Sequence, residues 1–228
     1  RTQAERLVNS EFAREISMDS LKSGATILGI GDAGGFRQFS NSVRMIRRPE
    51  DLRGLKMRSN GMDTINKTLE ALGAEVMTVP YNDLYMALKA GTIDGQENPW
   101  VNSSGMRFYE VQKYFTEVNY QFHPEPFYVN TRWYESLPRE YQEILEECTQ
   151  EMMKENNRLI DENEVQAMEN IRANAEIYTL SSEERQAFVE ATQVVYEEYM
   201  ENGLLTRDEL ARMKRIIRGE EEQDYPYR

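Results

Sequence analysis

The stretch that decides the fold is GLKMRSNGM, residues 54–62, with the segment that follows it. The run from Leu55 to Ser59 predicts a short strand, and it ends in Arg58 just before a turn. The next apolar residues recur at intervals of three and four, which predicts a helix closed by Gly73: Met62, Ile65, Leu69 and Leu72. A strand followed at once by a helix predicts an α/β fold. It also places Arg58 at the carboxyl end of a strand, where open α/β sheets bind ligands.

The same alternation continues on both sides of this stretch. EVMTVP (75–80) and TIDGQENPW (92–100) predict strands, with a helix between them that Asn82 caps and Gly91 ends. ATILGIG (25–31) predicts a buried strand, and GDAGGFRQFSN (31–41) a glycine-rich loop after it. Strands that alternate with short helices predict a mixed or parallel sheet covered by helical layers.

The ends of the chain are predicted to be mainly helical. Residues 3–22 predict one helix, and the pattern from Pro138 to about Ala175 predicts a helix of roughly 55 Å, longer than one domain of this size. Its predicted buried stripe is Tyr141, Leu145, Cys148 and Met152. EIYTL (176–180) predicts a strand. Two further helices are predicted, one opened by a Ser181–Glu184 capping box and one marked by Leu210, Met213 and Ile217, before a solvated tail, GEEEQDYPYR (219–228).

Composition excludes several classes of function. The chain has 228 residues and a net charge of −13, which argues against nucleic acid as a partner. Its single cysteine permits no intrachain disulfide, its single histidine argues against a multi-histidine metal site, and no apolar run is long enough to span a membrane. No cofactor motif stands out. The chain starts in a helical pattern without an initiator methionine or signal peptide, which predicts a processed or truncated chain.

Four residues are candidates for a binding site. Arg58 is either a surface cation or a ligand-binding residue, and Arg37 lies on the predicted glycine-rich loop. If the two guanidinium groups converge on one cleft, they suit a carboxylate, which each can bind bidentately. Asn98 in DGQENP either presents an amide to a ligand or belongs to a polar turn. Tyr81 either stacks against a ligand or packs in the core.

Catalysis finds little support in the sequence. The many carboxylates lie on predicted helix faces, where solvent exposure is the simpler interpretation. Cys148 has no paired histidine, which favours a position in the core over a role as a nucleophile. His123, among prolines in FHPEP, is interpreted as part of a strand crossover or hinge. The residues alone therefore predict no catalytic residue and no metal ligand, which argues against an enzyme.

Three motifs together resemble one known family. RRPEDLRGLKMRSN (47–60), LGAEVMTVPYNDLYMALKAGTIDGQENP (72–99) and YEVQKYFTE (109–117) are similar to the dicarboxylate-receptor (DctP-like) solute-binding proteins of tripartite ATP-independent periplasmic (TRAP) transporters. The family pattern is kept over nearly all of Pro49–Tyr114, and weaker similarity begins at Ala4 and extends past the long helix.

The resemblance implies a fold. It implies a two-lobe α/β periplasmic binding protein, type II-like, whose long helix crosses both lobes and in which the N-terminal part of one lobe has no counterpart in this chain. The implied division assigns 1–34 to a remnant of lobe I and 35–123 to lobe II with the ligand-binding motifs. Residues 124–163 return to lobe I as a strand and the first part of the long helix, and 164–228 form the end of that helix and the remaining elements of lobe II.

The resemblance also implies a function. Arg58 corresponds to the family's carboxylate-binding residue and Arg37 to a second contact, and Asn98 and Tyr81 line the same cleft. The protein would be a periplasmic receptor, exported by an upstream signal peptide, that captures a small organic acid by lobe closure and delivers it to integral-membrane TRAP subunits. The alternatives are a sensing or interaction module on the same scaffold and, with less support, an enzyme acting on an organic acid.

Overall fold

A computed structural model describes residues 2–220, and the end of the predicted solvated tail lies outside them. The helices are α1 Thr2–Val8, α2 Glu11–Met18, α3 Asp63–Ala71, α4 Leu84–Ala90, α5 Trp100–Gly105, α6 Thr131–Glu135, α7 Arg139–Arg172, α8 Ser182–Ala191, α9 Gln193–Glu201 and α10 Arg207–Arg218. The strands are β1 Ala25–Asn41, β2 Lys56–Ser59, β3 Glu75–Thr78, β4 Gly95–Pro99, β5 Tyr114–Asn130 and β6 Glu176–Thr179. Short 3₁₀ turns join several of these elements.

The described chain divides into two compact units. The first unit contains residues 2–35, 123–162 and 206–220, and the second contains 36–122 and 163–205. The sequence-based division placed everything after residue 163 with the second lobe, and for the last helix this is wrong. Helix α10 packs on α1, where the Arg6 guanidinium donates to the carbonyl of Ile217 at 3.2 Å. Arg212 also pairs with Glu15 at 2.5 Å.

The strands form a mixed sheet in the order β3–β2–β4–β1–β5–β6. Strand β2 is parallel to both β3 and β4, β5 is parallel to β6, and β1 runs antiparallel to β4. The mixed α/β fold predicted from the alternation of strands and helices is therefore confirmed. The antiparallel pair places Gln38 opposite Asn98 and Phe39 opposite Glu97, so it brings together two motifs that lie about sixty residues apart.

Two hydrophobic clusters stabilise the second unit. One contains Phe39, Met57 and Phe188, and the other contains Trp100 and Phe115, whose rings stack with centroids 6.1 Å apart. Because successive side chains of a strand point to opposite faces of the sheet, the burial of Met57 in the first cluster turns the next residue, Arg58, to the other face.

The glycine-rich segment is a strand, and the prediction of a loop there is wrong. Strand β1 continues through it to Asn41. Gly34 and Gly35 take φ values of 131° and 91°, which a residue with a Cβ adopts only with strain. The Asp32 carboxylate accepts their backbone N–H groups at 2.9 and 2.5 Å, and so satisfies donors at this irregularity. Arg37 therefore lies on a buried strand.

Helix boundaries differ from the prediction where a polar side chain bonds to the backbone. The N-terminal helix is divided, because the Ser10 hydroxyl caps α2 by accepting from the Ala13 N–H at 3.2 Å. The segment that starts at the confirmed Ser181–Glu184 capping box is divided at Thr192, whose hydroxyl donates to the carbonyl of Phe188 at 2.9 Å. Asn82 is not a helix cap, since it lies within a 3₁₀ turn that precedes α4.

The predicted long helix is confirmed as α7, with 34 residues, but its predicted buried stripe is wrong. Cys148 is exposed, and Tyr141 and Met152 are 55% and 45% exposed. In the part of α7 that contains this stripe, the buried residue is Thr149. It packs with Met153 against Gly29 of β1, where a Cβ would overlap the Met153 thioether. Because Gly29 has no side chain, α7 approaches β1 closely at Thr149 and Met153. This contact decides which face of the first part of α7 is buried.

Gly95 occupies a tightly packed position in the sheet, opposite Asn41 of β1 and Met57 of β2. An added Cβ would collide with the Ser40 carbonyl oxygen, and would lie 2.7 Å from Met57 Sδ and 2.8 Å from Asn41 Cβ. We expect Gly95→Ala to lower the free energy of unfolding by about 3 kcal/mol, the upper part of the range for overpacking. Gly105→Ala, where no atom lies within 4 Å of the added Cβ, is the matched control. Equal denaturation midpoints for the two variants would contradict this packing.

Candidate functional site

The four residues predicted for a binding site all lie in the second unit. Arg58 is the penultimate residue of β2, Arg37 is on β1, and Asn98 is on β4. Tyr81 begins the 3₁₀ turn after β3. The structure joins Arg37 directly to Asn98, and places the Arg58 guanidinium 5.9 Å from the centre of the Tyr81 ring.

Arg58 is buried without a counterion in contact. Its side chain is 2% exposed, and Nε donates to the Val79 carbonyl at 2.8 Å. Within the described part of the chain, its Nη1 and Nη2 groups have no hydrogen-bond partner. Burial lowers the pKa of Arg58 below its ordinary value, and the charge of Arg37 acts in the same direction, although Glu97 and Tyr81 partly oppose it. A buried cation with free donors is costly unless something pairs with it.

Arg37 is also buried, but it has a partner. Its Nε and Nη2 atoms bind the two carboxylate oxygens of Glu97, the second at 2.8 Å, and Nη2 also donates to the Glu97 carbonyl at 3.0 Å. Burial disfavours the charged form of Arg37, but the hydrogen bonds and charge of Glu97 outweigh it and raise the pKa of Arg37. Arg37 therefore reaches the site as one half of an ion pair.

Glu97 and Tyr120 belong to the same cluster, although the sequence-based reasoning did not select them. Glu97 is fully buried on β4. The Tyr120 hydroxyl on β5 donates to Glu97 Oε2, and the Tyr120 ring stacks on Phe39 at 5.0 Å. Burial, with the nearby Glu97 charge, raises the pKa of Tyr120 well above its ordinary value. The signal in the sequence was Glu97 itself, a charged residue in a central strand.

Asn98 is held in place from two sides. Its Nδ2 donates to Gln96 Oε1 at 2.6 Å, and its Oδ1 accepts from Arg37 Nη2 at 3.3 Å. Gln96 is fixed in turn by donating to the Ser40 hydroxyl at 2.7 Å. The polar side chains of β4 are thus rigid before any ligand arrives. Preorganised donors of this kind lower the cost of binding.

A cavity of about 840 Å³ in the first unit differs from this cluster in its electrostatics. Its cations, Arg14, Arg139 and Lys154, are exposed, and Arg139 pairs with Glu143 at 2.9 Å. Burial, with a hydrogen bond to Glu146, raises the pKa of Tyr134 at this cavity to about 12. Water can solvate these exposed cations. They therefore do not carry the cost of a buried, unpaired charge, as Arg58 does.

Residues 2–220 provide neither a membrane-spanning helix nor a cluster of metal ligands. No helix in this range is both long and apolar enough to cross a membrane. In the same range, no group of three or more histidine, cysteine, aspartate and glutamate side chains is arranged to hold a metal ion. The burial of Arg58 with its Nη groups unpartnered in the described chain makes the arginine cluster the candidate site.

Two solved structures that superimpose on this chain are TRAP periplasmic solute-binding proteins. The TRAP periplasmic solute-binding protein of Ralstonia eutropha H16, solved with bound (S)-2-acetolactate, superimposes with a TM-score of 0.88 at 30% identity. That of Sulfitobacter sp. NAS-14.1, solved with β-D-galacturonate, superimposes with a TM-score of 0.85 at 26% identity. Each superposition covers 95% of this chain and 70% of the other chain.

A curated relative leads to the same group. The C4-dicarboxylate-binding periplasmic protein DctP of Vibrio cholerae is 31% identical over 169 residues, which is 72% of this chain and 50% of the relative. The chain thus spans about half the length of this relative. The resemblance inferred from the motifs is confirmed. Because the model of bacterial extracellular solute-binding proteins, family 7 (DctP), also matches residues 1–202, the chain belongs to that family.

Proposed function

We propose that this protein is an extracytoplasmic receptor that binds a small organic acid through Arg58 and delivers it to the membrane subunits of a TRAP transporter. The observation that carries the proposal is the burial of Arg58 with its Nη1 and Nη2 groups unpartnered in the described chain. A ligand carboxylate supplies both the missing charge and two acceptors in the geometry of the guanidinium fork.

The surroundings of Arg58 support this role. Nε is engaged by the Val79 carbonyl, which fixes the plane of the guanidinium and leaves the Nη1–Nη2 edge for a ligand. Tyr81 covers one side of the group at a cation–π distance. Its own hydroxyl donates to the Asn102 carbonyl at 3.4 Å, which orients the ring. The site is therefore built to receive a carboxylate end-on.

The relatives support the ligand class. The proteins named above bind C4-dicarboxylates, acetolactate and galacturonate, which share a carboxylate and differ in the rest of the molecule. We propose that this protein takes an acid from the same chemical range, and that its place of action is periplasmic like theirs. Binding rather than turnover is the role of the family. Capture by lobe closure remains a prediction.

The test is calorimetric titration of the purified protein at pH 7 with succinate, (S)-2-acetolactate and galacturonate. Succinamide and galactose serve as matched neutral compounds. We expect at least one acid to bind with a dissociation constant in the micromolar range or below, and the neutral compounds to bind at least about 30-fold more weakly, since they cannot replace the anion that Arg58 requires. Equal binding of galacturonate and galactose, or no binding of any acid, would refute the proposal.

A further inference from the structure

The cluster around Arg58 contains one positive charge more than it can neutralise itself. In the described chain, the ionised groups that act on Arg58 are those of Arg37 and Glu97. Arg37 and Glu97 form a bidentate pair in which the guanidinium is 2% exposed and the carboxylate fully buried. The net charge of the three groups is therefore +1, and it resides on Arg58.

Glu97 is held so that it cannot turn towards Arg58. Both of its carboxylate oxygens bind Arg37, and one also accepts the Tyr120 hydroxyl. The Tyr120 ring is stacked on Phe39, a fully buried residue of the core. Strands β1, β4 and β5 each contribute one member of this Arg37–Glu97–Tyr120 triad, so the sheet itself fixes the pairing.

The pairing also limits what Arg37 can offer a ligand. Its Nε and Nη2 atoms are used by Glu97 and Asn98, which leaves Nη1. A single nitrogen cannot make the two parallel bonds of a guanidinium–carboxylate fork. Arg58 has such an edge free, whereas Arg37 has none.

We infer that Glu97 sets the charge of the ligand group that this site accepts: by neutralising Arg37, it limits the site to one carboxylate, held by Arg58. The inference rests on the proposed function and adds to it the charge class of the bound group. Glu97 is a positioning residue, because it acts through Arg37. The single carboxylate of an organic acid balances the net charge of +1. A second carboxylate on the ligand has no uncompensated cation to bind in this cluster.

The experiment changes the charge of the cluster in both directions. Glu97→Gln removes the anion and leaves a net charge of +2, while Arg37→Gln leaves a net charge of zero. Calorimetry at pH 7 gives dissociation constants for two pairs, each a dianion and a related monoanion: succinate with succinamate, and galactarate with galacturonate. The quantity compared is the dianion-to-monoanion affinity ratio, which cancels a general loss of affinity.

We expect Glu97→Gln to raise this ratio at least about tenfold, the effect of one added unit charge acting over several ångströms in a partly buried site. Arg37→Gln is expected to lower it. The double variant Arg37→Met/Glu97→Leu, which removes both charges and restores +1, is expected to return the ratio towards that of the parent protein. Glu70→Gln, an exposed carboxylate on α3 of the same unit, controls for net protein charge.

The outcomes separate this inference from the proposed function. Acid binding with the same ratio in all variants would overturn the role of Glu97 while leaving Arg58 as the receptor for the carboxylate. A ratio shifted as far in the double variant as in Glu97→Gln would show that packing, not charge, is responsible. If one variant fails to fold, the other still tests the inference, because the two single changes predict shifts of opposite sign. Failure of every acid to bind would refute the proposed function itself.

Discussion

Replacing Arg58 with alanine is expected to weaken acid binding by about 30- to 4,000-fold. Removing one partner of a buried, hydrogen-bonded charge pair costs about 2–5 kcal/mol, and each 1.4 kcal/mol is a factor of ten in affinity. In the described part of the chain, the Nη groups of Arg58 are buried and form no hydrogen bond to a carboxylate. No other group therefore takes over its role when it is truncated. Calorimetric titration with an acid that binds the parent protein measures the loss.

Two further variants show that the loss is specific to the guanidinium. Arg58→Lys keeps the charge but not the two-pronged donor edge, and we expect an intermediate loss of about 10- to 100-fold. Arg48→Ala removes a cation from the same unit whose side chain is 72% exposed, and it should leave affinity unchanged. An affinity for Arg58→Ala equal to that of Arg48→Ala would rule out Arg58 as the carboxylate-binding residue.

Replacing Glu97 with leucine is expected to lower the free energy of unfolding by about 3–5 kcal/mol. The change leaves the guanidinium of Arg37, which is 2% exposed, without its counterion, and uncompensated buried charges carry costs of this size. The Tyr120 hydroxyl loses its acceptor at the same time. Denaturant titration of the parent protein and the variant measures the difference.

The double variant Arg37→Met/Glu97→Leu is expected to regain most of the lost stability, because apolar residues of similar volume often replace a buried ion pair at little cost. The coupling energy from the double-mutant cycle should therefore exceed about 1 kcal/mol. Glu70→Gln, on an exposed helix face, should change stability by less than about 0.5 kcal/mol. The cycle compares the double variant with the single variants Arg37→Met and Glu97→Leu. Strictly additive changes in the free energy of unfolding would mean that the Arg37–Glu97 pair contributes no coupling energy.

The fold class was predictable because it depends on local patterns. The step from β2, which contains Arg58, to the helix with Ile65 and Leu69 in its buried face is encoded within a few residues. The glycine-rich part of β1 was not predictable in the same way. Gly34 and Gly35 look like turn residues, and their place in a strand depends on the Asp32 carboxylate and on pairing with distant segments.

The candidate site was predictable only in part. Arg58 stands out because it lies near the end of a motif strand, whereas nothing in the spacing of DGQENP singles out Glu97. The role of Glu97 depends on the antiparallel register of β1 and β4, which sets Phe39 opposite Glu97 and so brings Arg37 within reach. Register between segments sixty residues apart is a property of the folded sheet. Sequence spacing does not reveal it.

The exposed face of α7 illustrates the same limit. Cys148 lies at helical spacing from Leu145 and Met152, and this pattern predicted a buried stripe. The structure instead buries the next residue, Thr149, because Gly29 of β1 admits it closely. Periodicity indicates that a helix has an apolar stripe. The shape of the surface that it packs on decides which residues are covered.

The central claim is that Arg58 holds the carboxylate of the ligand while Arg37 remains bound to Glu97. A crystal structure of the protein with an acid that binds in calorimetry tests it most directly. The account predicts the two carboxylate oxygens at about 3 Å from Nη1 and Nη2 of Arg58, with the Arg37–Glu97 pair intact. A carboxylate bound by Arg37 after displacing Glu97, or bound away from Arg58, would contradict it.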